Sequence, residues 1–454
     1  MQKETKREAS SINLIASENY PSRAVLEALS APVTGGGEGY PGHRFYGGKR
    51  HVDEIELLCR RRALEAFRLD PNDWGVNVQP LSGALANVYV YSALMEVGDK
   101  VMGLEVAHGG HHSHGYKTAH QDVYKVVNRF ESIQYHTEPA TGMIDYDMLA
   151  RRAFESKPKI IVAGSSSYSR TIDWTRLRAV ADESSSILLA DMSHIAGLVA
   201  ADVIPSPFES SHIVTTTSLK TLRGPRAAMI FYRQEYGSRI NEMVHPGFQS
   251  GANHRTITAL AVALLQAKIP TFRAYQQRVL RNAQVLARTL IQLGHPILTG
   301  GTDTHLMVLD LRGGAVDAAL LEQVLETIGV TCNRCVVPGD ASGERPCGLR
   351  IGTAAMTTRG FDTAEFAYVG EVVHQAIELT SKINRDEGAG RVGNESLNTI
   401  NHLGGKEHHA LLRLRCQVTD LLKRFELVQA EEEETMPEQD EPKVRCRSAA
   451  EAFA

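Results

Sequence analysis

The chain has 454 residues, 43% hydrophobic and 22% charged, a globular balance with enough length to bury more than one core. Its 49 basic and 53 acidic side chains leave a net charge of −4, which gives no pull toward nucleic acid or an anionic membrane. No apolar run reaches the roughly 18 residues that a membrane-crossing helix needs, so neither nucleic acid nor a membrane is an expected partner.

Residues 1–30 read as an N-terminal helical arm. Between 70 and 235 short apolar runs alternate with helical patterns, and strands are predicted at 74–78, 101–104, 160–163, 187–190, 213–217 and 228–232. Repeated strand–helix order argues an α/β protein with a mostly parallel sheet covered by helices on both faces. Helices predicted at 256–268 and 274–293 lead to a smaller C-terminal α/β region. There 305–311, 329–333 and 349–351 read as a small sheet, and 317–327 and 366–383 as helices. Residues 385–406, rich in Gly and Asn, read as a loop, and 409–427 as a helix. The tail opens on the acidic run Glu431–Glu434 and reads as a disordered end. The expected divisions are an arm at 1–30, a large domain at 31–270, a small domain at 271–428 and a tail at 429–454.

The N-terminus has neither the apolar core of a secretory signal nor the Arg-rich, acid-poor character of a transit peptide, so a cytoplasmic location is expected. The six cysteines are spread like reduced thiols. Cys332 and Cys335 form a C-x-x-C with no second pair nearby to complete a zinc site.

Lys220 ends the apolar, β-branched run that starts at Ile213, and Asp191 ends a second one, Ser186-Ile-Leu-Leu-Ala-Asp191. In open α/β sheets ligands sit outside the carboxyl ends of strands, where both residues fall. A lysine taken out of water loses its charge and becomes a nucleophile toward an aldehyde. A strand-end carboxylate can keep a pyridine nitrogen protonated. Together these are what pyridoxal phosphate needs, although a solvated lysine and a capping aspartate would give the same pattern.

Longer motifs carry more. Leu14-Ile-Ala-Ser-Glu-Asn19, Glu38-Gly-Tyr-Pro-Gly42, Tyr46-Gly-Gly48, Asn77-Val-Gln-Pro80 and His108-Gly-Gly-His111 resemble the serine hydroxymethyltransferase family. So do Ala190-Asp-Met-Ser-His-Ile-Ala-Gly-Leu198, Lys220-Thr-Leu-Arg-Gly-Pro-Arg226 and Gly348-Leu-Arg-Ile-Gly-Thr353, in the family's order from about residue 12 to about 385. The resemblance implies fold-type I of the pyridoxal phosphate transferases (aspartate-aminotransferase-like), with active sites shared in a homodimer or tetramer. It implies a cofactor on Lys220, a ring nitrogen held by Asp191, and a ring face stacked by His111. Ser166 and His194 would lie near the phenolic oxygen, and Ser82, Gly83, Thr217 and Gly251 would complete the cofactor site, with Arg226 flanking the lysine. Arg350 and Ser17 would hold the amino-acid carboxylate, a task suited to a planar bidentate donor. Glu38 would move protons, and Glu38 and Tyr46 would reach the neighbouring subunit's site. The substrates implied are serine, glycine and tetrahydrofolate. A metal is not expected in the loop holding His108, His111, His112 and His114, because its spacing follows that of the family it resembles and it brings no carboxylates.

The chain departs from the family pattern at ligand positions. Gly36 stands where a phosphate-binding Tyr is usual, Ala84 where the phosphate turn has a second Ser, and Gln249-Ser-Gly251 where Gly-Gly is usual. Phe45 replaces a Tyr, His112 a Leu, Leu219 a His and Cys335 an Asn. Three readings stay open: the folate-dependent hydroxymethyltransferase, a folate-independent aldolase of 3-hydroxy amino acids, and a catalytically weakened binding or regulatory subunit.

Overall fold

The computed structural model describes residues 2–33, 37–115, 129–313, 316–340, 346–386 and 405–425. Gly36 and the tail at 429–454 lie outside them, as does most of the predicted loop at 385–406. Seven strands form the main sheet: β1 (Trp74–Asn77), β2 (Lys100–Leu104), β3 (Glu131–Tyr135), β4 (Ile160–Gly164), β5 (Ile187–Asp191), β6 (Ile213–Thr217) and β7 (Ala228–Arg233). Their order is β1-β7-β6-β5-β4-β2-β3. Only β7 runs against its neighbours β1 and β6, so the sheet is mostly parallel, as expected.

Alternation along these strands builds two separate cores. Ile161, Ala163, Leu188, Ala190, Val214 and Phe231 face one. Ile160, Val162, Leu189, Ile213 and Ile230 face the other, where α1 (Gly83–Leu94) packs with Ala86, Tyr89 and Val90. Strands β4 and β6 are buried along their whole length, which explains why they read as continuous apolar runs rather than as alternating patterns. The edge strand β3, with its mixed sequence Glu-Ser-Ile-Gln-Tyr, was absent from the predicted set because only Tyr135 is fully buried.

A second sheet, order β8-β10-β9, comprises β8 (Leu306–Asp310), β9 (Asn333–Cys335) and β10 (Gly348–Gly352). The single strand predicted at 329–333 is divided. Val330–Thr331 pairs with Ile12–Asn13 near the N-terminus, while Asn333–Cys335 pairs with β10. Ile12 and Leu14 are thereby buried in the C-terminal core. The long helix α2 (Pro270–Gln292) joins the halves: Phe272, Tyr275 and Val279 enter the first core, and Ala283, Leu286 and Leu290 enter the C-terminal one.

Candidate active site

One cleft opens at the carboxyl ends of β2, β4, β5 and β6. A lobe of about 840 Å³ is lined by Ser17, Ser82, Gly83, Ala84, His111, Ser166, Asp191, His194, Thr217, Lys220 and Arg226 among others. A second lobe of about 990 Å³ shares Ser17, His111, Ser166, His194 and Lys220, and adds His112, Asn333, Cys335 and Arg350.

The turn after β6 aims Lys220 into the cleft. Arg223 adopts a positive φ of 59°, its N–H donates to the Lys220 carbonyl at 3.1 Å, and the Asn19 amide donates to the same carbonyl at 2.9 Å. Lys220 Nζ donates to Thr217 Oγ1 at 3.0 Å. Burial pushes the Lys220 ammonium down to about 8, with the Arg350 and Arg226 guanidiniums adding to that and Asp191 opposing it.

Asp191 sits at the last position of β5. Its Oδ2 accepts from Asn87 Nδ2 at 2.9 Å and lies 3.1 Å from His114 Nε2, and its Oδ1 accepts from Ser193 Oγ at 2.6 Å. Burial alone would raise its pKa, but the His114 and Ser193 hydrogen bonds outweigh burial and hold the carboxyl well below the usual carboxylate range. His111 Nδ1 lies 2.7 Å from Ser113 Oγ, and burial pushes its ring down to about 4, so the imidazole presented to the cleft is neutral. Gly110 permits this loop: a Cβ there would come 1.8 Å from the Leu104 carbonyl oxygen. Gly109, with φ of 102°, accepts at its carbonyl from the Ser166 N–H at 2.7 Å and so ties the two cleft loops together. His194 is buried against His305, with ring centroids 5.6 Å apart, and burial together with the Lys220 charge keeps it neutral.

The N-terminus of α1 also faces the cleft. Ser82 caps it, accepting from the Leu85 N–H at 3.3 Å, and a Cβ at Gly83 would come 2.7 Å from Thr217 Cγ2. A helix N-terminus with Arg226 on the same wall favours a phosphate. An ionised carboxylate, a lysine of lowered pKa and this anion seat, all lining one lobe, fit pyridoxal phosphate.

Arg350, in β10, donates from Nη1 to the Ser166 carbonyl at 2.8 Å and from Nε to Asn333 Oδ1 at 3.1 Å. Neither partner is a carboxylate, and among the described residues Arg350 forms no salt bridge. It is a guanidinium ready for an incoming acid.

Glu38, Tyr46 and Gly251 do not line either lobe of this protomer's cleft. Glu38 lies beside Gly251, where a Cβ would come 3.2 Å from Glu38 Oε1, and the buried Glu38 Oε2 has no hydrogen-bond partner among the described residues. Tyr46 is 48% exposed and Phe45 81% exposed, stacked edge to face at 5.1 Å. Of the departures, Ala84 and Leu219 line the first lobe, and His112 and Cys335 the second.

Sequence reasoning missed Asn87, Ser113, His114 and Ser193, all of which support the floor of the cleft. Asn87 left a trace: it is a lone amide in the otherwise apolar stretch of α1, fully buried.

A family model described as "Serine hydroxymethyltransferase" matches residues 1–373. The chain belongs to the serine hydroxymethyltransferase family. The cytosolic serine hydroxymethyltransferase of Aspergillus fumigatus is 50% identical over 402 residues, covering 85% of this chain and 85% of the relative. The cytosolic one of Oryctolagus cuniculus is 48% identical over 404 residues, 86% of this chain and 84% of the relative. The mitochondrial one of Schizosaccharomyces pombe is 49% identical over 399 residues, 85% and 82%. The family places the main sheet and its helices in fold-type I of the pyridoxal phosphate transferases.

Proposed function

We infer that this chain interconverts serine and glycine and passes the one-carbon unit to tetrahydrofolate, with pyridoxal 5'-phosphate as cofactor. Family membership supports the activity, and the single observation that carries it onto these residues is the cleft shared by Lys220, Asp191 and Arg350, which among the described residues meets no carboxylate. The relatives reported all bear the hydroxymethyltransferase name, which favours this reading over the aldolase and the noncatalytic subunit.

When bound, the cofactor supplies an electron sink for a carbanion at the amino acid's α-carbon. Lys220 would hold the cofactor through its aldehyde carbon, the lowered pKa of Nζ supplying the neutral amine and water leaving with the aldehyde oxygen. Asp191, kept ionised, would hold a proton on the ring nitrogen, and the neutral His111 ring would cover one face. Ser166 and His194 would serve the phenolic oxygen, and Ser82, Gly83, Thr217 and the α1 N-terminus would seat the phosphate. Arg350 takes the substrate carboxylate bidentately, with Ser17 orienting it.

The oligomer is part of this proposal. Glu38, Tyr46 and Gly251 are assigned to a neighbouring subunit's cleft in a homodimer or tetramer, Glu38 as the proton-moving carboxylate; their position outside their own cleft and a Glu38 Oε2 without a partner among the described residues support that assignment. The proposed division is a large domain at 31–270 and a small domain at 271–428, joined by α2. Relatives bear both cytosolic and mitochondrial names; a cytoplasmic location is proposed, resting on the cytosolic relatives.

The test is the visible spectrum of purified protein on adding pyridoxal phosphate, then glycine, then tetrahydrofolate. A bound-cofactor band, absent in Lys220→Ala, followed by a long-wavelength band that grows with the folate, is expected. Folded protein that gives no cofactor band would overturn the reading.

A further inference from the structure

Strands β2 and β3 end side by side, with Leu104 paired to Tyr135. The next residues, Glu105 and His136, are therefore neighbours at the carboxyl edge of the sheet. From Glu105 the chain makes the short 3-10 turn Val106–His108, which returns His108 over Glu105. Glu105 Oε2 lies 2.9 Å from His136 Nε2 and 3.7 Å from His108 Nε2. The two imidazoles stack with centroids 4.8 Å apart and planes 20° from parallel. One donor atom from each of the three residues falls within 4.8 Å of the others. The side chains of Glu105, His108 and His136 are 32%, 15% and 39% exposed, so an ion can reach them from solvent.

We propose that Glu105, His108 and His136 form a binding site for a divalent transition-metal ion, with Zn²⁺ the ion their chemistry suits best. Two imidazoles and one carboxylate are a zinc donor set, whereas Mg²⁺ and Ca²⁺ prefer oxygen alone. Tetrahedral bonds of about 2.0–2.2 Å set neighbouring donors about 3.3–3.5 Å apart. The 2.9 Å and 3.7 Å separations from Glu105 bracket that spacing, and the two imidazole donors lie within 4.8 Å of each other, so the stacked rings turn toward one another to admit the ion, and water fills the fourth position.

The opposite side of His108 sets the tautomer of the ring. Its Nδ1 accepts from the Thr137 N–H at 3.0 Å, so without an ion the ring proton sits on Nε2. Ion binding moves that proton to Nδ1, where Thr137 Oγ1, 2.7 Å away, accepts it in place of the N–H contact. A second group, His111, His114 and Asp191, also converges, but it belongs to the cofactor cleft and its carboxylate is already engaged by Asn87, His114 and Ser193.

The site braces the catalytic loop from behind. Gly109, Gly110 and His111 follow His108 directly, and Val106 and Gly110 line the cleft, so an ion would fasten that loop to the end of β3. This inference does not depend on the activity assigned above.

The test uses full-length protein with its cofactor, treated with EDTA and then titrated with Zn²⁺ against a chromophoric chelator. One ion per chain, bound at micromolar concentration or tighter, is expected. Thr137→Val should weaken binding by about tenfold, and His136→Gln and Glu105→Gln, which each remove a ligand, by at least about 100-fold, the upper end of what loss of an outer-shell partner costs. Circular dichroism and the cofactor band report that the variants are folded. Binding no tighter than millimolar would overturn the proposal, as would binding unchanged in His136→Gln and lost in His114→Gln.

Discussion

Asn87 and Asp191, 104 positions apart in the chain, are joined by a 2.9 Å hydrogen bond from Asn87 Nδ2 to Asp191 Oδ2. The same amide nitrogen donates to Ser113 Oγ at 2.8 Å, and Asn87 Oδ1 accepts from Thr215 Oγ1 at 2.7 Å. Ser113 in turn contacts His111. One buried amide therefore links the ring-nitrogen carboxylate, the strand beside it and the loop that carries the stacking imidazole. Asn87→Ala strands three buried polar partners, and a loss of about 2 kcal/mol in stability is expected. Thermal unfolding of the cofactor-free protein measures it, and the bound-cofactor band should shift because Asp191 loses a donor. An unchanged melting temperature would show that the amide links nothing.

Lys220 has a pH signature. Its ammonium is brought down to about 8 from 10.5, so between those values the unfolded chain binds more protons than the folded one. The contribution of Lys220 to stability therefore rises with pH across that window and is absent in Lys220→Met. The rate of covalent aldehyde capture should likewise climb up to about pH 8 and level off above it. Stopped-flow absorbance gives the profile; a plateau delayed to near 10.5 would mean that burial is not felt at the amine.

Arg350→Lys keeps a positive charge and removes the planar fork. KM for serine should rise about 30-fold, the equivalent of about 2 kcal/mol for a charged hydrogen bond. Cofactor affinity should not change, because Arg350 lines only the second lobe. Equal losses in both would place the arginine elsewhere in the chemistry.

Ala84 puts a methyl group on the lobe that holds the α1 N-terminus. Ala84→Ser adds a donor aimed at the proposed phosphate seat, and cofactor affinity should increase about tenfold. Equilibrium dialysis of pyridoxal phosphate measures this. No gain would move the phosphate away from α1.

Glu38 and Tyr46 test the shared-site assignment. Lys220→Ala and Glu38→Gln should each be inactive alone, and mixing them under subunit exchange should restore part of the activity by forming one intact site. Mixed oligomers without activity would return Glu38 to its own cleft.

Much of the architecture was legible because it is local. Apolar runs such as Ile160–Gly164 and Ile213–Thr217 are buried on both faces, and nothing but a covered parallel sheet suits such runs. Lys220 and Asp191 were readable for the same reason: each ends a strand where open α/β sheets place ligands. The edge strand Glu131–Tyr135 escaped because an edge requires little burial and leaves little pattern.

The sequence by itself determined most of the elements, the edge strand Glu131–Tyr135 and the division of 329–333 excepted, together with the family and the chemical identity of the lysine, the carboxylate and the arginine. Tertiary structure alone decided that Asn87 joins Asp191 to Ser113, that Arg350 rests on the Ser166 carbonyl, and that Glu38 and Tyr46 stand outside their own cleft. It also set His136 against Glu105 and His108, supplying a second imidazole from the end of a strand further along the chain. The reason is physical: propensity and periodicity act over a few neighbouring residues. Which strand ends meet is settled by the packing order of the whole sheet.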